Sequence, residues 1–511
     1  MVNAIKKSSR NERRNEERSL EKIAIKSMSP RSISRKADRN IVNQKSEFGT
    51  ADEELEDRTL VATETLKVYK RYLPDILKNL ANIKDPRNPR KTEHKFNMLM
   101  LYGIFSFVFN RSSRRAVDSS MSAVFMENMK NFFPELDTLP HSCTLARLLE
   151  DIDPMEIELI TIKMVKKLIS DKKLVNYMVN NKYVIAIDGV HKFTREFEWC
   201  KNSLVKHKTG QPEGVNQYYA NALEASLVLP EGLTIPLMTE FMDRKEYSDK
   251  GTDTEKTKQD CELKAFTRLI ARLKEYFPRL EIAVTLDGLY ANGPLMKLCK
   301  KLKLDYMIVL KDKSLKTVWE EFESHKRDGI AHKHTGKVKN KVLQEFIWVN
   351  NIEFSFGLNL NEKILLNVVE CKETYFYIDS KTGEEVKKES KFAWISFITF
   401  SAKNVERRCN EIGRPRWNIE TQNLVEKYHG YAYSHCFSYN WNAMKGYHYL
   451  MHIAHLINVL LLNSKEIIGR VKKKGVRRFI EYLWGIFDGG ILDVARIKKS
   501  LEQRYQFRLD I

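Results

Sequence analysis

The chain has 511 residues, with 87 Lys and Arg against 67 Asp and Glu and a net charge of +20. Hydrophobic residues at 42% and aromatics at 10% are enough for real cores over a length of roughly three domains, which excludes a wholly disordered protein. So large a cationic excess points to a polyanionic partner, nucleic acid ahead of an acidic membrane surface, because Lys and Arg displace condensed counterions.

Residues 1–58 read as a basic, disordered arm. Positions 1–45 hold 13 Lys or Arg and 5 Asp or Glu with almost no apolar periodicity, and no apolar stretch follows the basic start, so no secretory signal is expected. Seven scattered cysteines without a CxxC pair support neither a disulfide framework nor a structural zinc knot, and free thiols in a cytoplasmic protein are expected. From 59 to 180 apolar residues recur at three and four spacing, as in LKVYKRYLPDIL and MEIELITIKMVKKLI, giving a helical region that is a candidate for DNA binding. Its most apolar run, Phe96 to Phe109, is shorter than the ~18–20 residues of a membrane span and reads as a buried helix. In HSCTLARLLEDID, Ser142 or Thr144 offers an N-cap to a short helix, which suits a helix-turn-helix module and a core helix equally well.

After residue 180 the texture changes. Short apolar runs at 183–189, 218–230, 233–242, 280–288 and 304–311 read as strands, with helices at 255–277 and 293–302 between them. The fold class expected is therefore α/β, a mixed sheet flanked by helices. Residues 335–400 read as a β-rich insertion of successive strands with a Thr-Gly turn in SKTGEE. Helices return at 415–428 and 443–463, and 465–511 reads as a basic C-terminal tail.

Two strands end alike, IAID-Gly at Asp188 and VTLD-Gly at Asp287. Strand ends are where open α/β sheets build sites, and two acids held there could converge on one cation; singly, each Asp-Gly also serves to begin a turn. The third acid is in RPRWNIETQNLVEKYHG. At about 100° per residue Arg416, Glu420 and Lys427 share one narrow polar stripe, which is a solvated face or a site.

Arg416, Glu420 and Lys427 have the spacing of the signature helix in DDE transposases of bacterial insertion sequences. In that signature a Tyr stands three residues before the Arg, where this chain has Gly413. IAIDGVHKF, VTLDGLYANGPLMKLCKKLKLDYMIVLKD and RWNIETQNLVEKYHGYAYSHCF also resemble the family, in its order, over roughly residues 183–463. The resemblance implies an RNase H-like core, its first part at 181–334 and its second, with the Glu helix, at 401–464. It implies a triad of Asp188, Asp287 and Glu420 holding two Mg²⁺ ions, or Mn²⁺ in their place, with Asp188 on both ions. Arg416 and Lys427 would contact phosphates, since hard cations want oxygen ligands and in-line displacement at phosphorus builds negative charge. The implied partners are double-stranded DNA, both element ends and target, and a second copy of the chain in the DNA complex, acting in the cytoplasm at the nucleoid. A metal-dependent nuclease on the same core and a catalytically inactive DNA-binding descendant are the alternatives.

His191 reads as an ordinary hydrogen-bonded side chain. His448, His452 and His455 have the spacing of a zinc-binding face but no acidic or Cys neighbour in sequence, so core or groove-lining imidazoles are expected. Trp348 and Trp394 read as packing residues, with base stacking as the alternative, and Tyr290 and Asn292 as turn residues.

Overall fold

The stretches with three-and-four periodicity are helices in the structure, a computed structural model that describes residues 48–510 apart from 112, 137, 208–214, 245–259, 337–341 and 379–384. Residues up to Arg58 and those from Thr59 on are separate compact units. Most of the expected arm, and the Thr-Gly turn, lie outside the described residues. Helix α1 (Ala51–Leu80) begins inside the span expected as arm. It is followed by α2 (Phe96–Val108), α3 (Arg114–Ser120), α4 (Ala123–Lys130), α5 (Ser142–Asp151) and α6 (Pro154–Ser170). Side chains of Ser113, Ser122 and Asp153 cap α3, α4 and α6. Neither Ser142 nor Thr144 caps α5: the His141 ring accepts the Cys143 N–H at 3.2 Å, and the Ser142 hydroxyl donates to Asp118 at 2.6 Å. Twelve of the thirteen residues of α2 are buried, as its unbroken apolar surface demands.

The second half is a large mixed sheet with helices, so the fold is mixed α/β. Its strands are β1 (Tyr183–Arg195), β2 (Leu204–His207), β3 (Asn216–Val228), β4 (Thr234–Phe241), β5 (Ile282–Leu286), β6 (Asp305–Val309), β7 (His332–Thr335), β8 (Val342–Phe356), β9 (Glu362–Ile378) and β10 (Glu385–Ser396). Helices α7 (Glu262–Tyr276), α8 (Gly293–Lys301) and α9 (Lys316–Arg327) lie between them in sequence. The ten strands run β2-β3-β1-β5-β6-β10-β9-β8-β7, with β4 on β3. β5 is parallel to β1 and β6 to β5, and the remaining pairs are antiparallel. Every residue of β5 is buried, the unalternating pattern of a strand covered on both faces. The strands of the expected insertion extend the same sheet, because β10 pairs with β6.

After β10 come α10 (Val405–Arg408), a π-helical turn at Cys409–Gly413, α11 (Arg416–Tyr428) and α12 (Trp441–Leu462). Beneath the turn, Arg408 donates to both Asp305 oxygens at 2.8 Å, and both side chains are 1% exposed, which fastens the chain before α11 to β6. Nineteen of the 22 residues of α12 are buried, and it packs on α2, α5, α6 and β4. The segment expected as a basic tail is folded into α13 (Ile468–Lys474), α14 (Val476–Asp488) and α15 (Val494–Leu501). Trp484 stacks on Phe125 at 4.9 Å and meets Phe109 edge-on at 5.3 Å, while Phe507 meets Tyr72 at 5.4 Å. Among the described residues no helix is long and apolar enough to cross a membrane.

Candidate active site

The last registered pair between the parallel strands β1 and β5 is Ile187 with Leu286. One step on, Asp188 and Asp287 therefore leave the two apolar runs side by side. Asp287 caps a short 3₁₀ turn, accepting the Gly288 N–H at 2.5 Å, and takes the Lys311 ammonium on its other oxygen at 3.0 Å. Burial alone would raise its pKa, but the Lys311 and Gly288 donors hold it below the usual range. Glu420 on α11 is half exposed and accepts from Arg416 at 2.7 Å. Asp188 has no such relief. Burial, then the negative charges of Glu420, Glu262 and Asp287, push it up to about 6 against the opposing pull of Arg416. The three acids expected from sequence thus share one electrostatic neighbourhood with Arg416, and carboxylate oxygens are the donor type that suits a hard divalent cation.

Two neighbours were not anticipated. Glu262, the first residue of α7, accepts the buried Tyr290 hydroxyl at 2.6 Å, and its carboxylate fills the place where a Cβ on residue 189 would stand, 2.5 Å from Oε2. A larger residue at 189, beside Asp188, would have to displace that carboxylate. Lys311 ends the run after β6, and its stem covers Gly288. The sole sequence signal for either was its place at the start of a helix or the end of a strand.

A cleft of about 390 Å³ opens beside Asp287 and is lined by Lys311, Trp394, Arg414, Arg416 and Trp417 among others. A Cβ on Gly413 would lie 2.9 Å from the Trp394 indole nitrogen and 3.2 Å from Met307, so the Trp394 ring occupies the ground over which a Tyr at 413 would have to pass. That is the physical reason for the departure at this position. Lys427, seven residues and about 10 Å along α11 from Glu420, opens on a different cleft with Arg111, His429 and Arg477. Arg416 is thus beside the acids and Lys427 is not.

Residues 77–165 match the family model described as DDE_Tnp_1-associated. The match runs from the end of α1 into α6 and ends before Asp188, the first of the three acids. No curated protein matches the chain. Among solved structures, the cryo-EM structure of a piggyBac transposase synaptic complex with hairpin DNA is similar at 14% identity and a TM-score of 0.34, covering 88% of this chain and 82% of that one.

Both ring nitrogens of His191 are engaged, by Asn221 at 2.9 Å and Thr194 at 3.1 Å. Trp348 is buried against His332. Asn292 caps α8. The three histidines of α12 are buried as expected, but they are not without acidic partners: Glu224 of β3 meets His448, and Glu426 of α11 meets His455 at 2.6 Å.

Proposed function

We propose that the protein is a DNA transposase that binds the ends of an insertion sequence and cuts and rejoins DNA with Mg²⁺, or Mn²⁺ in its place. The observation that supports this reading most is that Asp188, midway along β1, lies close enough to Asp287 after β5 and to Glu420 on α11 to feel both negative charges. The match of residues 77–165 to a region associated with DDE transposases supports the same class independently. The order β4-β3-β1-β5-β6, antiparallel on one side of β1 and parallel on the other, supports an RNase H-like core.

Asp188, Asp287 and Glu420 would hold the metal. When bound there it supplies positive charge against the negative charge that builds on the transferred phosphate, the attacking oxygen and the leaving oxygen. The chain's own work is to position these acids on the paired strand β1, at the end of β5 and on the open face of α11. Arg416 and Lys311 present cations beside them to the phosphates at the cut, Arg416 as a planar fork and Lys311 as a point charge. Lys427, with Arg111 and Arg477, holds the DNA backbone farther along α11. Two element ends must be brought together, which calls for a homodimer in the DNA complex, acting in the cytoplasm at the nucleoid.

Labelled element ends incubated with protein, Mg²⁺ and a target plasmid should yield both cleaved ends and joined products. Asp188→Asn, nearly isosteric but uncharged, should abolish both while end binding persists. Cleavage without joined product would leave a nuclease, and unaltered cleavage by Asp188→Asn would remove this residue from the chemistry.

A further inference from the structure

Behind the candidate active site, α12 brings its histidines against β3, β4 and α11. Glu224, Glu426, His448 and His452 are at most 2% exposed, and one ligating atom each from Glu224, His448 and His452 lie within 4.8 Å of one another. His448 Nε2 is 3.3 Å from Glu224 Oε1 and 3.1 Å from the Thr239 hydroxyl. His452 Nε2 stands 3.8 Å from Glu224 Oε2 and 3.7 Å from Glu426 Oε1, too far for hydrogen bonds. Yet His452 Nε2 and Glu426 Oε2 are fully buried and have no hydrogen-bond partner. Buried polar atoms facing one another across such gaps are costly unless something sits between them. A tetrahedral cation bound at about 2.0–2.1 Å has ligand-to-ligand edges of about 3.3 Å, close to these separations.

We propose that Glu224, His448 and His452, with Glu426 beside His452, form a closed site for a transition-metal dication of the Zn²⁺ class, distinct from Asp188, Asp287 and Glu420. Two imidazoles select this class over Mg²⁺, and two carboxylates balance its charge. Each carboxylate has the outer donors such ligands need. Glu224 accepts from Tyr433 at 2.9 Å and Thr239 at 2.7 Å, and Glu426 from Gln422 at 3.2 Å. Lys192 does not occupy the gap, because it lies 3.3 Å from His448 Nδ1, the nitrogen on the far side of the ring. Lys192 donates instead to the Tyr433 carbonyl at 2.9 Å. The ion would tie β3, where Glu224 is registered opposite Asp188, to α12, which in turn meets Glu426 of α11 through His455. Its role is to hold α12, and α11 against it, to the strand that carries Asp188.

The test uses the full chain without a polyhistidine tag, carrying Asp188→Asn and Asp287→Asn so that the candidate active site holds no tight metal. After chelator stripping, Zn²⁺ reconstitution and desalting, metal analysis should give about one zinc per chain. Co²⁺ in its place should give the strong visible bands of a four-coordinate site, and His452→Asn should lose both signals. A chain that retains no zinc and gives a Co²⁺ spectrum no stronger than the aqueous ion would overturn the proposal, leaving a protonated His452 between two carboxylates. Retention of zinc by folded His452→Asn would overturn it as well. If that variant fails to fold, the Co²⁺ spectrum of its parent decides.

Discussion

Asp188 is the residue on which the environment acts most plainly. An aspartate whose folded pKa is about 6 and whose unfolded value is about 3.9 binds its proton more tightly in the folded chain. Below about pH 4 both states are protonated and nothing is lost; as pH rises to about 6 the unfolded chain ionises first, and folding loses on the order of 2–3 kcal/mol. In metal-free buffer Asp188→Asn should therefore raise the melting temperature at pH 8, with the gap closing as the pH falls to 4. A variant less stable than its parent at pH 8 would show that the like charges do not strain this position. Asp188 and Asp287 stood out in sequence because each follows a largely apolar run and precedes a glycine, and the parallel register of β1 with β5 ends one residue before both. Glu262 did not: nothing local in its helix says that it will lie over Gly189, more than seventy residues back along the chain.

The helix that carries Glu420 is placed by its surroundings, through the Arg408–Asp305 pair and the π-helical turn that ends at Gly413. Because Trp394 fills the space beside this turn, Gly413→Tyr should cost about 1–3 kcal/mol through overpacking and should weaken cleavage by displacing α11. Adding Trp394→Ala should recover part of that loss, so a double-mutant cycle in chemical denaturation should return a favourable coupling of about 1 kcal/mol. Strictly additive effects would mean that the two positions do not compete for the same space. Elements with strong periodicity, such as α6, β5 and α12, were readable from sequence within a few residues. Helix α9 was missed although Leu315, Val318, Trp319 and Phe322 recur at three and four spacing, because the stripe is short and only Val318 and Phe322 are fully buried. The acidic partners of the α12 histidines were missed because Glu224 is 224 residues from His448 and Glu426 is on another helix.

At the scale of the whole molecule the excess of charge sits toward both ends, with 13 basic against 5 acidic residues in 1–45 and 12 against 6 in 465–511, yet the two ends differ in kind. The C-terminal stretch is part of the helical core, where Trp484 and Phe487 cover Phe109 and Phe125. Losing buried aromatic contacts of this size costs about 3–5 kcal/mol apiece. Ending the chain at Asn463 should then lower the melting temperature by many degrees or leave aggregated protein, whatever it does to DNA binding. The N-terminal stretch offers charge without apolar pattern, so its removal should act through counterion release alone. Deleting residues 1–45 should leave the melting temperature within a degree or two, weaken binding to DNA of any sequence, and flatten the plot of log affinity against log salt, while the position of the cut stays the same. Measured side by side, the two truncations separate charge that folds from charge that only binds. A shortened N-terminus that kept the full salt slope would place the DNA contacts elsewhere, on Lys311, Arg416, Lys427 and the cations of the clefts around them.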